Sequence, residues 1–265
     1  MSSVSIDTNV SIHYRQDGFE HTSKPVVVFL NGMTQTTMSW RTQARRFQDD
    51  FRVLTYDARG QGKSDVGEDE LTLTRHAEDL ILLLDHLDIH TAHLVGFSHG
   101  ARVALAAAGH APERLGKLVL CSATAQPTAL AKTIVRAWRE VLSRGGLEAM
   151  SWAALPTILG TDFLEANEGV LDGVIRAGVQ RNSPGGITRL LDAMIAYPAL
   201  DELARRVQAP TLVVSADADP LVDPAGARLL AELCKGTHTL VPHSGHTIPI
   251  ERPGVFQSIV EEFLS

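Results

Sequence analysis

Cysteine is nearly absent. The 265 residues hold two, Cys121 and Cys234, far apart and outside any C-x-x-C pair. That leaves no disulfide framework and no thiolate metal site, and it suits a cytoplasmic chain with reduced thiols. Positive charge is in deficit: 24 Lys and Arg stand against 31 Asp and Glu, a net charge of -7. Such a balance argues against a nucleic-acid or anionic-membrane surface. No apolar run is long enough to span a bilayer. The stretch Met1-Ser2-Ser3-Val4-Ser5-Ile6-Asp7 has neither the basic nor the apolar region of a signal peptide. Repeats and low-complexity tracts are missing too. The length suits one large α/β domain with room for an insertion.

What is present is an alternation of apolar runs and helical patterns. Residues 4–15 alternate weakly and end at Asp17-Gly18, which reads as a hairpin turn. Val26–Leu30 is a continuous apolar run, the mark of a parallel strand buried on both faces. Strands are expected at 52–56, 92–97, 117–121, 211–215 and 237–241. Helices are expected at 40–47, 73–87, after residue 98, and at 224–234 and 254–264. This rhythm predicts a doubly wound, mostly parallel sheet. Residues 124–203 break it. They carry only helical patterns, interrupted at Gly145-Gly146, Pro156, Gly160 and Ser183-Pro184-Gly185-Gly186. The expected division is a core of 1–123 and 204–265 with a helical cap at 124–203. The cap leaves and rejoins the sheet on the face where such sheets bind ligands.

Gly96-Phe97-Ser98-His99-Gly100 lies between an expected strand and an alanine-rich helix. A G-x-S-x-G turn at a strand-to-helix junction presents the serine as a nucleophile on a sharp, strained bend. A serine hydroxyl needs a base, and the base needs an acid to orient it. Of 11 histidines, His246 follows a glycine in the loop between the last strand and last helix, on the Ser98 side of the sheet. His243 is the competitor. No third ligand accompanies this His-x-x-His pair, so a metal site is not expected. The acid is expected at Asp219, where Asp219-Pro220 turns the loop back to the sheet edge. Asp217 reads as a turn residue and Asp223 as a helix cap before Pro224. Negative charge developing on the substrate oxygen requires two aimed N–H groups. The His99 amide is one candidate, and the Met33 amide, after Asn31-Gly32, is the other. Asn31, Trp138, Trp152, Phe163 and Met194 are candidate substrate contacts.

These motifs, together with Tyr56-Asp57-Ala58-Arg59-Gly60-Gln61-Gly62-Lys63-Ser64 and Glu251-Arg252-Pro253, resemble the α/β-hydrolase superfamily over nearly the whole chain outside the cap. The pattern in 51–122 is most similar to the 3-oxoadipate enol-lactonase and small-esterase branch. Asn31 stands where the family usually has histidine, which bears on the lining of the site entrance. The resemblance implies the α/β-hydrolase fold. It also implies a serine hydrolase acting on a small ester, thioester or enol-lactone, with a small-molecule substrate and no cofactor. Two other classes share the fold. Cofactor-free dioxygenases that open quinolone rings also carry Gly-x-Ser-His-Gly, but their acid follows an earlier strand, where this chain has Ser122-Ala123-Thr124-Ala125. A non-catalytic binding member would not need an intact triad.

Overall fold

Apolar residues on both faces of each central strand require helices on both sides of the sheet. The computed structural model describes residues 2–265 and has that arrangement. Eight strands form one sheet: β1 (Ser2–Asp7), β2 (Val10–Asp17), β3 (Val26–Leu30), β4 (Arg52–Tyr56), β5 (Ala92–Phe97), β6 (Leu115–Cys121), β7 (Thr211–Ala216) and β8 (Thr237–Val241). Their spatial order is β1-β2-β4-β3-β5-β6-β7-β8. The first two strands pair antiparallel and β2 pairs antiparallel with β4, while β3 to β8 run parallel. The β1–β2 hairpin turns at Thr8-Asn9. Asp17-Gly18, the expected turn, instead ends β2, and Gly18 leads into the β3 loop at φ 73°. At the true turn the Asp7 carboxylate accepts from the Thr8 amide, a local bond that alternation alone does not reveal.

Side chains of the parallel strands alternate between two cores. Val28, Leu30, Leu94 and Leu118 face α2 (Leu73–His86) and α3 (His99–His110). Val27, Phe29, Val95 and Val119 face the other layer, where Trp40, Phe47 and Phe256 pack. That layer contains α1 (Arg41–Phe47) and, at the other end of the chain, Pro253–Leu264.

Between β6 and β7 the chain forms α4 (Ala129–Ile158), α5 (Thr161–Asn167), α6 (Leu171–Arg181), α7 (Pro184–Ala196) and α8 (Asp201–Arg206). Gly146 kinks α4 at φ 78°, ψ -177°. Pro156 does not end it: α4 runs on to Ile158, because proline sits in its last turn, where one lost backbone bond is tolerated. α8 packs against α3 and straddles residue 203. After β7 come α9 (Pro224–Leu233), α10 (Ile248–Glu251) and α11 (Pro253–Leu264). No helix among the described residues is long and apolar enough to cross a membrane.

Candidate active site

The chain turns from β5 into α3 at Ser98, whose backbone lies at φ 53°, ψ -115°. A non-glycine residue there is strained, and the surroundings hold it. The Ser98 amide donates to the Cys121 carbonyl of β6 at 2.9 Å. A Cβ at Gly96 would meet Ala101 Cα at 2.5 Å, and one at Gly100 would overlap the Leu30 carbonyl. Backbone crowds both positions, so only glycine fits.

Ser98 Oγ lies 2.8 Å from His246 Nε2. His246 Nδ1 lies 2.7 Å from Asp219 Oδ2. The other carboxylate oxygen, Oδ1, accepts from the Leu221 and Val222 amides at 2.8 and 3.1 Å. Those two amides fix which oxygen faces the imidazole, and the Asp219 side chain is fully buried. Asp217 is exposed and accepts weakly from the Ser244 amide, whereas Asp223 caps α9 through the Gly226 amide. His243 is exposed, and its carbonyl takes the Arg252 guanidinium.

The loop carrying His246 is pinned from two sides. Ser122 Oγ donates to the His246 carbonyl at 2.7 Å. Glu251 accepts from the amides of Gly245, Thr247 and Gly160, and from Thr247 Oγ1. Sequence reasoning gave Glu251 no role. Its signal was its place five residues after His246, next to Arg252-Pro253.

Met33, Ser98 and His99 line one cavity, and neither the Met33 nor the His99 amide meets an acceptor among the described residues. The Met33 loop is tied down at several points. Gln35 Oε1 accepts from the Gly32 amide at 3.0 Å, and Asn182 of the segment after α6 donates to the Thr34 carbonyl at 2.8 Å. Asn31 differs from expectation. It is buried away from the cavity, accepting from Trp40 Nε1 at 2.7 Å and donating to the Tyr56 carbonyl at 2.8 Å. It braces the loop instead of lining an entrance.

The cavity measures about 380 Å³, a volume suited to a small molecule. Trp138, Phe163 and Met194 line it. Trp152 does not. It is 39% exposed on the outer face of α4, because the Gly146 kink resets which residues of that helix point inward. Beside the cavity, the His99 ring is buried. Tyr197 donates its hydroxyl proton to the Leu71 carbonyl at 2.9 Å, so His99 Nε2, 3.1 Å from Tyr197 Oη, is the donor between them. Burial holds His99 well below the usual histidine pKa and pushes its neighbour His76 down to about 3. Both rings are therefore neutral at pH 7. Among the described residues no group of three or more His, Cys, Asp or Glu is arranged to hold a metal.

This site belongs to a known class. A family model for the alpha/beta hydrolase fold matches residues 25–253. The chain belongs to that family, and its Ser98, His246 and Asp219 stand as the Ser-His-Asp triad of a serine hydrolase. The structure is similar to the enol-lactonase of Burkholderia xenovorans LB400, with a TM-score of 0.90 and 27% identity over 98% of both chains. A 3-oxoadipate enol-lactonase of Acinetobacter baylyi is 25% identical, covering 96% of this chain and 92% of that protein. A Bacillus subtilis protein, provisionally named a 2-succinyl-6-hydroxy-2,4-cyclohexadiene-1-carboxylate synthase, is 28% identical, covering 100% and 99%.

Proposed function

We propose that Ser98, His246 and Asp219 are the catalytic residues of a hydrolase for a small ester, thioester or enol-lactone. The unbroken chain of hydrogen bonds from Ser98 to the buried Asp219, opening on a largely apolar cavity, carries this reading. Ser98 Oγ attacks the carbonyl carbon while His246 Nε2 takes its proton. The oxyanion takes N–H bonds from Met33 and His99. The tetrahedral intermediate collapses as His246 returns the proton to the leaving oxygen or sulfur. Water, activated by His246, then releases the acid from Ser98. Asp219 holds the imidazole in the Nδ1–H tautomer throughout. Residues 124–203 act as a cap that supplies Trp138, Phe163 and Met194 to the acyl or alcohol part of the substrate. The enol-lactonase relatives favour a lactone or a compact ester.

Ser122 bears on oxygen chemistry. The end of β6 offers a hydroxyl, already bonded to the His246 carbonyl, and no carboxylate. The synthase relative favours a second reading, in which the same residues serve a reaction without water as acceptor. Turnover of an activated ester separates these. Ser98→Ala and His246→Ala should each lower kcat on the order of a millionfold, with stoichiometric acid release and no oxygen uptake. A Ser98→Ala protein that keeps most of its rate, or an oxygen trace that falls with a hydroxyquinolone, would overturn hydrolysis.

A further inference from the structure

The chain carries seven more acidic than basic charges, yet no Asp or Glu lines the catalytic cavity, which instead has Arg102 and Arg181 in its wall. A second, smaller hollow of about 80 Å³ adjoins it. The two share Arg102, Pro127, Ala131, Val135 and Met194, and the smaller one adds Lys132, Arg136 and Tyr197. No acidic residue lines that hollow either.

Arg102 is the joint between the two. Its guanidinium has no carboxylate partner among the described residues. It leans on the Tyr197 ring at 5.7 Å and donates Nη2 to the Pro198 carbonyl at 3.2 Å. Its Nε–H is buried and meets nothing. Burial lowers the Arg102 pKa, the signature of a cation held without compensation. Two arginines of the neighbouring α4 are treated differently: Arg139 pairs with Asp192 at 2.7 Å and Arg144 with Glu140 at 3.3 Å. Lys132 and Arg136, one turn apart on α4, are exposed and take no such partner.

We infer that Arg102, Lys132 and Arg136 form an anion subsite that takes a carboxylate carried by the substrate away from its scissile bond. This rests on the hydrolase reading above. The unused Nε–H is a charged donor from which a carboxylate oxygen can accept, while Nη2 beside it is held on the Pro198 carbonyl. Arg102 lies one helical turn beyond Ser98 on α3, about 6 Å along the axis, so the anionic arm is short. Lys132 and Arg136 draw the anion in from solvent, and Arg102 binds it where water is excluded.

The test compares p-nitrophenyl hemiesters of succinic, glutaric and adipic acid with the matching ω-carboxamides. Wild-type kcat/KM should favour the carboxylate member at its best length by about tenfold to a hundredfold, the contribution of a charge-assisted bond. Arg102→Gln should abolish that preference, and Lys132→Gln or Arg136→Gln should reduce it several-fold with a weaker salt dependence. The two exposed variants keep the test open if Arg102→Gln fails to fold. Glutarate titrated into the Ser98→Ala protein reads the same subsite without catalysis, so a failed hydrolase reading is distinguishable. Equal kcat/KM for carboxylates and carboxamides in the wild type, or a preference that survives Arg102→Gln, would overturn the subsite.

Discussion

Replacing Asp219 by asparagine changes one atom and should change the protonation of a residue 2.7 Å away. The oxygen of the introduced amide would remain with the Leu221 and Val222 amides, which donate at 2.8 and 3.1 Å in the wild type. Its NH2 group would then face His246 Nδ1. Two donors cannot share that contact, so Nδ1 becomes the acceptor and the imidazole proton moves to Nε2. Nε2 is the atom 2.8 Å from Ser98 Oγ, and once protonated it cannot accept the serine proton. The fold is preserved while the base is lost. The same tautomer argument in other triads corresponds to about 10⁴ in kcat, or about 5.5 kcal/mol of transition-state stabilisation. A loss of about a thousandfold or more is therefore expected for Asp219→Asn. Asp217→Asn should stay within a few-fold, since Asp217 makes only a 3.4 Å contact with a backbone amide. Initial rates on p-nitrophenyl acetate, with melting temperatures as a folding control, decide it. Equal losses in the two variants, or a mild effect at 219, would refute the assignment of the acid.

Two further outcomes follow from the packing. Gly100→Ala should cost about 3 kcal/mol or more in urea unfolding, because the new Cβ meets the Leu30 and Asn31 backbone, which cannot repack. His76, with a folded pKa of about 3, stays neutral where the unfolded chain binds a proton. The unfolded state thus gains protons below about pH 6.5, and stability should fall from there toward pH 3, by about 3 kcal/mol at pH 4 from this residue alone. A His76→Gln variant whose stability declines over that window as steeply as the wild type would count against it.

The elements that carry chemistry were legible because their reasons are local. A buried parallel strand needs an unbroken apolar run, as in Val26–Leu30. The bend at Ser98 needs glycine two residues to either side, and Asp223 before Pro224 is a cap whatever surrounds it. Long-range contacts were not legible. Nothing near Asn31 in the sequence says that it binds Trp40 and Tyr56. Trp138 and Trp152 lie on one helical segment, yet a single glycine kink sends one into the cavity and the other to solvent. Arg102 sits four residues after Ser98, so helical spacing alone places it on the same side of α3. Its lack of a partner becomes visible only in three dimensions.

The central claim is that Ser98 Oγ is the nucleophile, and covalent capture tests it most directly. A fluorophosphonate should add one equivalent of probe to the folded protein. After trypsin the adduct should lie on the peptide spanning residues 76–102, at Ser98. Unfolding the protein first, or replacing His246 by alanine, should prevent labelling. An adduct on another peptide, or none on folded protein that still hydrolyses esters, would contradict the account.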